Sequence, residues 1–165
     1  LHILGTTCPK SLRLNIFTGH FHGHWSYGSR VRVKFAQSGR LTLEVRQALA
    51  LIKAGFFEPP PFLQLCMGAG WGIEATPDNL LFMKNLLPTD IIWSVLGVGK
   101  TQLAMITLGI ILGGHIRVGF EDNLYLRRGE LLDSNAQMVG LASTLVEKLQ
   151  HEIATPADAR LILGI

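Results

Sequence analysis

From Leu41 onward, short apolar runs alternate with helix-length segments, and each run ends in a glycine-rich loop. A strand covered on both faces reads as a near-continuous apolar run, whereas a helix shows an apolar stripe every three to four residues. Alternation of the two argues for βαβ units around a parallel sheet, and so for an α/β fold. The stripe at Leu43, Ala50, Leu51 and Ala54 predicts a helix over Leu41–Ala54, closed by Gly55. Phe62–Met67 reads as a buried strand ending in Gly68-Ala69-Gly70. Thr76-Pro77 opens the next helix, with Thr76 as N-cap and Pro77 at the first helical position, and that helix runs to about Leu87. Ile91–Leu96 is the second strand and Thr101–Leu112 the following helix; Ile116–Phe120 is the third strand. Ser134–Gln150 is a long helix, and Thr155-Pro156 starts a short one that stops at Leu163-Gly164.

In such sheets the loops at the carboxyl ends of the strands share one edge, and that edge is where ligands bind. Gly68–Gly72, Gly97–Lys100 and Glu121–Asn123 are therefore expected to form one mouth. Composition narrows the function classes. With 48% apolar and 16% charged residues the chain has material for a core and is not globally disordered. Its longest apolar stretch, around Leu103–Leu112, is well short of the roughly 20 residues that span a bilayer, so no membrane partner is expected. Leu1 opens no basic-then-apolar leader, and a start without Met is expected of a processed or partial product. Cys8 and Cys66 make no disulfide framework, which points to a reducing cytoplasm.

Charge is unevenly spread. Six of the 15 basic residues and none of the 12 acidic ones precede Glu44. Such a front end suits a nucleic-acid or anion-binding arm, but its aromatics follow no RNA-binding pattern, so no nucleic-acid partner is expected.

Three constellations carry chemistry. Gly97-Val98-Gly99-Lys100-Thr101 resembles the end of a phosphate-binding loop, but Ser94 stands where the leading glycine belongs; a nucleotide-binding module is the least favoured reading. His20-Phe21-His22 has the spacing that puts two imidazoles on one strand face, suited either to zinc or to a surface cluster. Gly114–Asn123 delivers Glu121 and Asp122 to the end of a strand, with Arg117 four residues earlier. Adjacent carboxylates on a strand diverge, so one can ligate a metal while its neighbour works as a base; a helix cap with a salt bridge is the other reading.

Gly72-Ile73-Glu74-Ala75-Thr76-Pro77, Trp93-Ser94-Val95, Gly97-Val98-Gly99, and above all Gly114-His115-Ile116-Arg117-Val118-Gly119-Phe120-Glu121-Asp122-Asn123 resemble the β-keto acid cleavage enzymes, the family of the 3-keto-5-aminohexanoate cleavage enzymes of lysine degradation. Ser134-Asn135-Ala136-Gln137 and Ile153–Arg160 continue the match. The resemblance implies a zinc-dependent (β/α)8 TIM-type barrel. It implies transfer of an acyl group from a small β-keto acid to CoA, with acetyl-CoA as co-substrate and acetoacetate released. On that resemblance Glu121 is a metal ligand, Asp122 the base, and Arg117 the partner that orients Asp122 and keeps it ionised. The histidine ligands are not carried over, since His22 is followed by Gly23-His24-Trp25 rather than the family's Arg.

A complete barrel needs about 250 residues, and this chain has 165. The expected architecture is a partial barrel, about the last four βα units, in residues 41–165, behind a divergent basic segment in 1–40. Such a sheet leaves edges open, so the chain is expected to be a homo-oligomer or an inactive fragment that folds only by association.

Overall fold

The computed structural model describes residues 2–3, 33–35, 41–57, 60–70 and 72–164. Strands and helices alternate as the hydrophobic pattern requires. In chain order they are β1 (His2–Ile3), β2 (Val33–Phe35), α1 (Leu41–Lys53), β3 (Phe62–Met67), α2 (Pro77–Asn85), β4 (Ile92–Gly97), α3 (Gln102–Ile111), β5 (His115–Arg117), β6 (Tyr125–Arg127), β7 (Glu130–Leu131), α4 (Asn135–Lys148) and α5 (Pro156–Leu163). One 3-10 turn, Gly99–Thr101, leads into α3.

The main sheet runs β1-β5-β4-β3-β2. β2, β3, β4 and β5 are mutually parallel, with Leu63 opposite Trp93 and Val95 opposite Ile116. β1 departs from the expected pattern: it pairs antiparallel with β5, His2 opposite Arg117. Together β1 and β2 take the edges that β5 and β3 would otherwise expose. Both are very short, and short edge strands offer little template for pairing with another chain.

Strand alternation separates the two faces of the sheet. One face carries Leu65, Met67, Trp93, Val95 and Ile116, which form a single apolar cluster with Leu80 and Met83 of α2, Met105, Ile106 and Ile110 of α3, and Met138, Ala142 and Val146 of α4. Leu63 joins Ala48 of α1 and Ile91 in a smaller cluster at the other end. The opposite face is different in kind, and the site is built on it.

The helix ends follow the sequence signals. Thr76 Oγ1 accepts from the Asn79 N–H at 3.2 Å, with Pro77 at the first helical position. Thr155 and Asp158 form a reciprocal capping box, the Asp158 N–H donating to Thr155 Oγ1 and the Thr155 N–H donating to Asp158 Oδ2. Gly164 closes α5 in the left-handed conformation, φ 65°. Thr155→Ala is expected to cost about 1 kcal/mol through the lost cap; urea denaturation reads it, and an unchanged midpoint would show that α5 contributes nothing to cooperative unfolding.

The third strand is shorter than its apolar run predicts. It ends at Arg117 rather than Phe120, because the Gly119 carbonyl accepts the N–H groups of Asp122 and Asn123 and turns the chain. The β6–β7 hairpin that follows was not anticipated; it turns at Gly129 and is tied by an Arg127–Glu130 ion pair. Among the described residues no helix is long and apolar enough to cross a membrane.

Candidate functional site

The three glycine-bearing loops do meet at the carboxyl edge of the sheet. The Val98 N–H donates to the Met67 carbonyl at 3.0 Å, joining the β4 loop to the end of β3. The Gly99 N–H donates to the Asp122 carbonyl at 2.6 Å, joining the same loop to the carboxylate turn. Gly99 makes this bond from φ +60°, a conformation that side-chain-bearing residues rarely adopt. These bonds also bear on the phosphate-loop reading. The Gly99 N–H is taken by Asp122, and the Thr101 hydroxyl donates to the Val98 carbonyl at 2.8 Å. The N–H that such a loop would aim at a phosphate and the hydroxyl it would aim at Mg²⁺ are thus engaged inside the protein.

Below this mouth lies the second face of the sheet. Because Trp93, Val95 and Ile116 point into the core, Ser94, His115 and Arg117 point the other way. Register sets Gln64, Ser94 and His115 side by side across β3, β4 and β5. All three are buried. The His115 ring tilts toward Phe62, their centroids 6.4 Å apart. Ser94 Oγ is fully buried and makes no hydrogen bond among the described residues. A buried hydroxyl costs free energy unless bonded, so this polar row is not what a purely packing surface selects.

Arg117 stands one repeat nearer the mouth on β5 and reaches both carboxylates. Its Nη2 lies 2.6 Å from Glu121 Oε2. Its Nε lies 3.1 Å from Asp122 Oδ2, and its Nη2 donates to Asp122 Oδ1 at 3.3 Å. The Arg117–Asp122 contact is an ion pair that contains one hydrogen bond, from Nη2 to Oδ1. The two acids differ sharply in surroundings. The Asp122 side chain is 8% exposed, that of Glu121 79%. They diverge as expected, but because a turn rather than a strand carries them. The result is one buried and one outward carboxylate sharing a single positive charge, a geometry suited to a fixed base beside an open ligand position.

The metal expectation meets a thinner set of donors. Among the described residues no group of three His, Cys, Asp or Glu side chains could hold a metal ion. Glu121 presents an accessible carboxylate at the mouth. His20 and His22 lie outside the described residues.

Sequence reasoning passed over two contributors to this site. Asn135, at the start of α4, accepts the Phe120 N–H on its Oδ1 at 2.8 Å. Asn123 closes the turn on itself, its Oδ1 accepting the Tyr125 N–H and its Nδ2 donating to the Tyr125 carbonyl. The short Asx spacing of Asn123 to Tyr125 was a readable signal; no local signal links Asn135 to Phe120.

The model of a family described as beta-keto acid cleavage enzyme matches residues 41–165. Curated relatives agree. The 3-keto-5-aminohexanoate cleavage enzyme of Acetoanaerobium sticklandii is 38% identical over 121 residues, covering 73% of this chain and 44% of that protein. That of Fusobacterium nucleatum is 40% identical over 118 residues, covering 72% and 43%. The 3,5-dioxohexanoate:acetyl-CoA acetone transferase of Paraburkholderia graminis is 37% identical over 118 residues, covering 69% and 38%. The chain thus spans less than half the length of these relatives.

Proposed function

The chain belongs to the beta-keto acid cleavage enzyme family, and we propose that it cleaves a small β-keto acid against acetyl-CoA: the acyl part of the keto acid passes to CoA, while the acetyl group joins the remaining acetate unit, which leaves as acetoacetate. The observation that carries this reading is the Arg117 bridge between a buried Asp122 and an outward Glu121 at the carboxyl edge of a parallel sheet. We read that sheet as part of a TIM-type barrel whose interior is the polar face of Gln64, Ser94, His115 and Arg117. Residues 41–165 are the family portion, and 1–40 are a segment of other origin whose β1 and β2 flank the sheet.

In this reading Asp122 is the base. Its carboxylate is ion-paired with the Arg117 guanidinium, which gives it one hydrogen bond, and is shielded from water, so its position is set before substrate arrives. Arg117 orients it. The keto acid and the CoA thioester enter over the loops at Gly68–Gly70 and Gly97–Lys100. A zinc ion held at Glu121 would supply Lewis-acid polarisation. The described residues do not by themselves fit a zinc ion, because they offer no cluster of three donors. Glu121 is proposed as one ligand, and the remaining donors would come from outside the described residues. The same shortage favours a second reading, in which the site is completed only by association with another copy or another chain.

The test is direct. Purified protein given acetyl-CoA and 3-keto-5-aminohexanoate is expected to release acetoacetate. Asp122→Asn is expected to slow this by about 10²- to 10⁴-fold, the range for a lost general base. Metal analysis is expected to find zinc in the purified protein and none after Glu121→Ala. A folded wild-type chain with neither acetoacetate formation nor zinc, at all concentrations up to those where it self-associates, would sink the first reading and completion by another copy of this chain.

A further inference from the structure

Residues 119–123 carry both carboxylates, yet the sheet does not set their shape, since β5 ends at Arg117. Backbone bonds do part of the work: the Gly119 carbonyl accepts the Asp122 N–H at 3.0 Å and the Asn123 N–H at 3.1 Å, and Gly99 anchors the Asp122 carbonyl. The Phe120 N–H lies beyond the ladder, so no strand partner fixes it. It finds Asn135 Oδ1, 15 residues along the chain, at 2.8 Å.

Asn135 is the first residue of α4, and the helix does not need its side chain. Ser134 Oγ already caps the helix by accepting the Gln137 N–H at 3.2 Å. Gln137 Oε1 in turn accepts the Asp133 N–H at 2.9 Å. Asn is among the poorer helix formers, so the helix itself gives no reason for Asn at this position; the bond to Phe120 does. We propose that Asn135 is a positioning residue that locks the turn immediately before Glu121, so that Arg117 can hold both acids at once. It touches no reacting atom and acts through the Phe120 backbone. Its effect on turnover rests on the function proposed above, whereas the clamp itself is tested without turnover.

The clamp needs only an acceptor, so Asn135→Asp keeps it and Asn135→Ala removes it. In the full chain, amide exchange at Phe120 and the Arg117 Nε–H resonance are followed by NMR alongside acetoacetate formation. Asn135→Ala is expected to speed Phe120 exchange about tenfold, the worth of one hydrogen bond, and to shift or broaden the Arg117 resonance. It is expected to lower kcat about tenfold with KM within about twofold, the signature of misplaced machinery rather than lost binding. Asn135→Asp is expected to restore all of these. Ser134→Ala, which loosens the same helix end without touching Phe120, is expected to leave kcat within about twofold of wild type. Unchanged Phe120 exchange in Asn135→Ala, no rescue by Asp, or an equal loss in Ser134→Ala would each overturn the assignment. A wild-type chain without turnover would count against the proposed function, and the exchange and Arg117 readouts would still decide the clamp.

Discussion

Replacing Arg117 by Met is expected to lower the free energy of unfolding by about 3–5 kcal/mol, the cost of leaving a buried charge without its partner. Arg117 and Asp122 are both largely withdrawn from water, and the guanidinium is ion-paired with the carboxylate through one hydrogen bond. Remove it, and Asp122 stays in a poorly solvated place with its charge uncompensated. Glu121 contributes little to this cost, because an exposed carboxylate loses almost nothing when its ion pair breaks. Arg117→Lys keeps the charge but not the planar guanidinium, and is expected to fall between Met and wild type. The double variant Arg117→Met with Asp122→Leu removes both charges and is expected to regain most of the lost stability. Urea titration of the four proteins measures this. A loss of under about 1 kcal/mol in Arg117→Met would mean that the pair is solvated in solution, and the shielded base of the proposed function would go with it.

The same pair shows how far the sequence could be read. Glu121, Asp122 and Arg117 were recognisable as one constellation because their spacing joins a strand end to a loop. Their environments were not legible. Which acid is buried depends on where β5 stops, and the apolar run Ile116–Phe120 suggested a longer strand. Val118 is buried in the main cluster yet already beyond the strand, so hydrophobicity marked the core correctly while giving the wrong strand end. The break came from the Gly119 carbonyl and its two N–H donors, a turn whose glycine carries no side-chain signal.

Elements with both a periodic pattern and punctuation came out within a few residues. α2 and α5 each begin at a Thr-Pro pair that supplies a cap and a preset φ. The meeting of the three glycine loops followed from topology alone. By contrast, β1, β2 and the β6–β7 hairpin are only two or three residues long. Strands this short hold too few residues for alternation to be read, and their pairing is decided by tertiary neighbours. The Asn135–Phe120 bond was hidden for the same reason, since it joins a helix start to a loop across the hairpin.

Trp93 and Gly114 test whether the core face positions the site face. Trp93 is almost wholly buried in the main cluster. A Cβ at Gly114 would lie 2.5 Å from two atoms of the Trp93 ring, closer than carbon atoms can approach. The Trp93 ring is therefore seated against the residue just before β5, and Gly114 is required by that contact. Trp93→Ala is expected to cost about 3–5 kcal/mol, from lost burial and the cavity left behind. Gly114→Ala is expected to cost about 1–3 kcal/mol by overpacking. Trp93→Leu in the Gly114→Ala background removes the obstructing ring, so the two costs are expected to fall short of additivity by at least about 1 kcal/mol. Arg117 lies only three positions beyond Gly114, and β5 is too short to absorb a displacement at its start. Gly114→Ala alone is therefore also expected to move the Arg117 Nε–H resonance, and Trp93→Leu to return it. Strict additivity in the urea titrations, with an unmoved Arg117 signal, would show that the seating of β5 is independent of Trp93 and that the mouth is built by its loops alone.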